Sequence, residues 1–179
     1  MRILIVFESL FGATHAIADE IGTGAGPYGE VTVVAAHDID PATLPAVDLL
    51  VLGAPTHNHG LSTAESRGQA ALLAIDTFSG LQLDRGENDS SGMREWLHSA
   101  AIPSGTQVAV FDTRIRGPRL FVGSAGHDIA QTLHRFQICL VAKPVSFSVM
   151  GNHRLEPGER SRAAHWGTEL TTLIRPERA

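Results

Sequence analysis

Ser9, Gly12 and Thr14 have the types and the spacing to hold an oxyanion. Each hydroxyl can donate a hydrogen bond, and the glycine lets the backbone approach closely. Leu10, Phe11 and Ala13 fill the positions between them. Two elements must position this stretch. Before it, Ile3 to Phe7 is apolar and uncharged, which reads as a buried parallel strand. After it, Ala13, Ile17, Ala18 and Ile21 recur at helical spacing. The chain therefore turns from strand to helix over a short polar loop. Such a turn aims backbone N–H groups and the positive end of the helix dipole at one spot. The expected chemistry is a phosphate cradle.

The cradle has no lysine of the kind that marks a P-loop ATPase, so a magnesium-bound nucleoside triphosphate is not expected. The three-glycine dinucleotide fingerprint is also missing. With its strand, Phe7, Ser9, Gly12, Thr14, Ala18 and Ile21, the stretch resembles the FMN-phosphate signature of the flavodoxin family.

The rest of the chain alternates in the same way. Gly22 to Pro27 reads as a helix stop and turn, and Val31 to Ala35 as a second strand. Asp40-Pro41 opens a brief helical turn with Leu44, and Asp48 to Gly53 is a third apolar strand. Ala54 to Gly60 is a loop, and Ser62-Thr63-Ala64-Glu65 has the pattern of a capping box leading into a helix through Ala70, Leu73 and Ala74. Ser79 to Gly92 is rich in Gly, Asp, Asn and Ser and reads as an exposed loop. Gly92 to Ala100 is a short helix carrying Trp96, and Gln107 to Phe111 a fourth strand. Asp112 to Gly126 reads as a long loop, Ile129 to Cys139 as a helix, and Leu140 to Val149 as a fifth strand. Gly151 to Gly158 turns the chain into a closing helix, Glu159 to Ile174, with Ala163, Trp166 and Leu170 on one face.

Apolar strands alternating with helices predict an α/β doubly wound sandwich, with helices on both faces of a parallel sheet. Five strands suit the flavodoxin-like order 2-1-3-4-5, whose switch point lies between the first and third strands. One domain spanning residues 1–179 is expected.

The resemblance also implies where a flavin ring would lie. The loops after the third and fourth strands would flank it. This brings in Pro55, Thr56, His57, Asn58 and Gly60 from one, and Asp112, Thr113, Arg114, Phe121, Ser124 and Gly126 from the other. Electron-carrier flavodoxins usually stack the ring between Trp and Tyr. Here Trp96, Trp166 and Tyr28 all lie outside both loops, leaving Phe121 and an imidazole face of His57 or His59. A base-aromatic stack contributes roughly 1–3 kcal/mol, so a looser, more accessible flavin is expected. Arg114, Arg116 and Arg119 replace the usual acidic surroundings. A guanidinium facing the ring would stabilise the reduced anion and raise the potential.

Composition narrows the function further. A net charge of −5 gives no encouragement to nucleic-acid or anionic-membrane binding. No apolar run approaches the ~20 residues that span a bilayer, and no leader precedes the first strand, so a cytoplasmic protein is expected. Cys139 is the single cysteine, which excludes an internal disulfide or a Cys-x-x-Cys pair. His57-x-His59 has no carboxylate or cysteine cluster near it in sequence, so no metal is expected. A Gly-x-Ser-x-Gly elbow is absent. A phospho-receiver reading fails because Ala54-Pro55 stands where an aspartate is needed.

The resemblance implies a redox protein that transfers electrons through non-covalently bound FMN, to a partner protein or a small-molecule acceptor. The alternative is a flavodoxin-like NAD(P)H:quinone-type oxidoreductase with substrate stacked on the open ring. A third is a module that keeps the fold without a cofactor. A phosphorylated deazaflavin would satisfy the cradle as well as FMN.

Overall fold

Alternation along the first strand divides the core in two. In β1 (Arg2–Phe7), Ile3, Ile5 and Phe7 join Ile17, Ile21, Trp166 and Leu170 on one face of the sheet. Leu4 and Val6 join Trp96, Leu97, Ile129 and Leu133 on the other. Side chains that alternate between two buried faces need apolar residues at every position, which explains the uninterrupted run. The computed structural model describes residues 1–75, 80–84 and 91–174.

The remaining strands are β2 (Glu30–Ala35), β3 (Leu49–Pro55), β4 (Gln107–Ile115) and β5 (Val145–Val149). The helices are α1 (Ala13–Ala25), α2 (Ala64–Ile75), α3 (Met93–Ser99), α4 (Arg119–Val122), α5 (Ala125–Arg135) and α6 (Glu159–Leu173). The sheet is parallel with order β2-β1-β3-β4-β5, as expected. The α1–α6 pair covers one face, while α3 and α5 pack on the other. Among the described residues, no helix is long and apolar enough to cross a membrane.

Several boundaries differ from expectation, each for a physical reason. Gly22 to Ala25 does not stop the helix but forms its last turn. Its glycines serve packing: a Cβ on Gly24 would stand 1.8 Å from the Ala164 carbonyl oxygen. A Cβ on Gly167 would likewise stand 2.2 Å from that of Ile21, so α1 and α6 cross backbone to backbone. β4 runs four residues past Phe111, because Asp112 to Ile115 pair with Ser146 to Val149. Their polarity hides a strand that the sheet accommodates between two neighbours.

β5 begins at Val145, after Pro144, which has no N–H to give the ladder. Leu140 makes only an isolated bridge to Val108. α5 starts earlier than its apolar periodicity, at the Ser124 cap, whose hydroxyl accepts the His127 N–H. The reciprocal cap of α2 forms between Thr63 and Ser66, not Ser62 and Glu65. Residues 79 and 85–90 of the loop expected at Ser79 to Gly92 lie outside the described residues.

Candidate functional site

Three loops leave the carboxyl ends of β1, β3 and β4, and the site is built where they meet. Loop 1 (residues 8–12) first sends Glu8 away from it. Glu8 continues the Leu4–Val6 face, and its carboxylate accepts the Met93 N–H at 2.7 Å. Ser62 and Arg67 also face it, and Arg67 lies 3.3 Å from Glu95. Burial pushes the Glu8 carboxyl above its ordinary pKa, against the lowering by Ser62, Met93 and Arg67. The folded state therefore holds this proton at a pH where the unfolded chain, near 4.5, has released it. Stability from this group is present below that pH and is lost as pH rises through the folded value. Glu8→Gln should flatten that decline, measured as melting temperature from mildly acidic to mildly alkaline pH.

Ser9 is buried, and its hydroxyl accepts the Gly12 N–H at 3.1 Å. Gly12 caps α1 at φ 84°, in the left-handed region. An added Cβ would meet nothing within 4 Å. Gly12→Ala should therefore cost only the backbone strain of about 1–2 kcal/mol, read by urea denaturation. The N–H groups of Ala13 and Thr14 belong to the first turn of α1, where a helix supplies no acceptor of its own. The Thr14 hydroxyl sits 2.8 Å from that of Thr113, tying the start of α1 to β4.

Loop 2 (residues 56–63) begins with the Thr56 N–H donating to the Thr113 carbonyl at 2.7 Å. His57 and Gly60 then bridge each other across a tight turn. Asn58 and His59 occupy its centre at φ 49° and 73°, both left-handed, as a type I′ turn requires. The turn leaves Asn58 and His59 exposed at its tip and His57 half-buried at its base.

Asp112 fastens loop 2 to the start of α5. Fully buried, its carboxylate accepts the Ser124 hydroxyl at 2.6 Å, the Gly126 N–H at 2.9 Å and the Thr56 hydroxyl at 3.2 Å. The Thr56 hydroxyl in turn accepts the Ala125 N–H at 3.0 Å. Asp128 accepts the Leu61 N–H at 3.0 Å. In loop 3 (residues 116–124), the Arg114 guanidinium donates to the carbonyls of Gly117 and Gly123 and braces the loop. Arg116 pairs with Glu156 at 2.9 Å, while Arg119 is exposed. Phe121 is 69% exposed on α4.

The loops enclose a cavity of about 60 Å³. Leu10, Phe11, Ala13 and Thr14 line it from the α1 side, and Pro55, Thr56, His57 and Thr113 from β3 and β4. Val149 and His153 close it from β5 and the turn that follows. Eight of these ten were legible as site residues in sequence. Val149 and His153 were not, because they come from the edge strand β5 and the turn after it, away from the switch point between β1 and β3. The His153 ring lies 4.5 Å from that of Phe11. Burial lowers the pKa of both His57 and His153, and the neighbouring His153 lowers His57 further.

A larger hollow of about 610 Å³ lies at the opposite end of the sheet, lined by Met1, Asp48, Gly105 and Ile174 among others. It is remote from the loops at the carboxyl ends of β1, β3 and β4. The small cavity fits the phosphate end of a flavin: it adjoins the first-turn N–H groups of α1, the Thr14 hydroxyl and the open space over Gly12.

The solved structures that match share this architecture. A flavodoxin from the domain Archaea aligns over 97% of this chain and 99% of its own, with TM-score 0.64 and 16% identity. Flavodoxin 2 from Bacillus cereus aligns over 97% of each chain, with TM-score 0.63 and 20% identity. A Streptococcus pneumoniae TIGR4 flavodoxin covers 96% of this chain and 99% of its own, with TM-score 0.65 and 16% identity. These identities establish likeness of fold. No curated protein matches in sequence. The family model described as Flavodoxin matches residues 5–97, which is 93 of the 179 residues, and this chain belongs to the flavodoxin family.

Proposed function

We propose that the protein binds FMN non-covalently at this edge and carries electrons between redox partners. The observation that supports this most strongly is the cavity beside the α1 N-terminus, bounded by three loops tied together through Thr14–Thr113, Thr56–Asp112 and Asp112–Ser124. Bound FMN would supply the one- or two-electron chemistry. The protein's part is to hold the phosphate with N–H groups and hydroxyls, to place the ring beside loops 2 and 3, and to keep those loops rigid.

Ile115, Leu120 and Phe121 make the rim at loop 3 apolar, with exposures of 55%, 87% and 69%. Such a rim suits close approach by a partner protein or a small acceptor. The arginines bear on the potential less than their number suggests, because Arg114 and Arg116 have partners in loop carbonyls and Glu156. Reconstitution with FMN should give a yellow protein that is reduced by dithionite and reoxidised by an acceptor. The same protein should oxidise NADH or NADPH with added quinone at close to the background rate. Rapid turnover would instead support the quinone-reductase alternative.

A further inference from the structure

A fourth loop, the turn after β5, reaches into the site. The Met150 N–H donates to the Arg154 carbonyl at 2.8 Å and the His153 N–H to the Met150 carbonyl at 3.0 Å. This turn holds His153 at φ 61°, a conformation unfavourable for a residue with a Cβ. The result is a half-buried imidazole against Phe11, facing the same cavity as His57.

The cavity's chemistry is unusual for an anion site. The cavity is small, about 60 Å³, and lies beside the N-terminus of α1. Among the described residues, His57 and His153 are its only titratable lining residues, and neither arginine nor lysine lines it. A doubly charged phosphate would enter with hydroxyls and N–H groups but no permanent cation. We propose that His57 and His153 form a proton-coupled clamp on the phosphate, so that the site takes up protons as a phosphate monoester binds. Affinity for the phosphorylated cofactor then rises as the pH falls from mildly alkaline towards mildly acidic. This rests on the flavin-site reading above.

The surroundings favour that assignment. Charged groups on the elements packed around the two rings are turned to other partners. On α1, His15 faces Asp84; at the end of β4, Arg114 faces loop carbonyls; and Asp112 faces Ser124 and Gly126. Arg116 faces Glu156, while His59 and Arg154 are exposed. Among the described residues, no carboxylate acts on either ring. Burial lowers the proton affinity of both imidazoles, and a charged His153 would repel a charged His57. An anion between them reverses both effects. Linkage sets the sign: bound anion raises both histidine pKa values, so binding takes up protons and tightens as pH falls. The phosphate's second pKa, near 6, bounds the window from below.

Two readouts test this. The first follows the histidine ring resonances by NMR through a pH titration, with and without inorganic phosphate. Both His57 and His153 should gain affinity for protons when phosphate is present, while the exposed His165 does not respond. The second compares FMN with riboflavin, which lacks the phosphate, at about pH 8 and about pH 6.5. FMN should bind several-fold more tightly at the lower pH, with a limit of tenfold per pH unit for each proton taken up. Riboflavin should show no such change. His153→Asn, which tolerates the left-handed backbone, should lose most of the pH dependence. Unmoved histidine resonances with phosphate, or an unchanged pH dependence in His153→Asn, overturn the clamp even if FMN binds. Failure of FMN to bind would overturn the cofactor reading alone, and a phosphate-induced response of both rings would still support the clamp.

Discussion

Replacing Asp112 with alanine is expected to destabilise the protein by about 3–5 kcal/mol and to weaken FMN binding at least about tenfold. The side chain is fully buried, so water cannot take its place readily. Its loss strands the Ser124 hydroxyl, the Gly126 N–H and the Thr56 hydroxyl, which it accepts at 2.6, 2.9 and 3.2 Å. A hydrogen bond to a charged group contributes about 1.5–3 kcal/mol, and the hydroxyls can rotate towards lesser partners. The sum therefore falls short of three full bonds. Against a typical domain stability of about 5–15 kcal/mol, the loss is large enough to measure directly by urea denaturation. Affinity falls because Thr56 and the α5 start no longer hold loop 2 against β4. Asp112→Asn retains an acceptor oxygen and nearly the same volume, and should recover part of both losses.

The second large effect is expected at Gly24. Alanine is favoured over glycine within a helix by about 1 kcal/mol, so propensity alone predicts a gain. The close crossing with α6 reverses the sign. The new Cβ would lie 1.8 Å from the Ala164 carbonyl oxygen and 2.7 Å from its carbon, and backbone atoms cannot rotate out of the way. Overpacking of this kind costs about 1–3 kcal/mol or more. Gly24→Ala should therefore give a net loss of about 2 kcal/mol with the urea midpoint shifted down. Gly26→Ala is the matched control. Its φ of −52° is helical and nothing lies within 4 Å of the added Cβ. It should be neutral or slightly stabilising.

Those two sites also show what the sequence made legible. The strand-to-helix turn after β1 and the alternating architecture could be read because β1 and β3 are buried on both faces and apolar almost throughout. The change to helical spacing after Gly12 then had one interpretation. The glycines from Gly22 onwards were ambiguous, since a helix stop and a close helix crossing place the same demand on side-chain size. Only the partner helix decides between them.

Asp112 was read into the site but onto a loop. A polar residue in a central strand looks like a strand end until its hydrogen-bond partners, Ser124 and Gly126, are brought to it by the fold. Glu8 follows strand alternation, continuing the Leu4–Val6 face away from the cradle towards Met93. His153 was missed because nothing local distinguishes it from other turn residues. It becomes a site residue only when the hairpin after β5 folds back across Phe11.

Loop 1 and its neighbours are proposed to hold the phosphate of a flavin. The most direct test is to titrate the purified protein with FMN and, separately, with riboflavin, following flavin fluorescence near neutral pH. Saturable quenching by FMN and at least about tenfold weaker binding of riboflavin are expected, because the phosphate engages the N–H groups and hydroxyls around the cavity. Equal affinity for the two flavins, or no binding of FMN, would contradict that proposal.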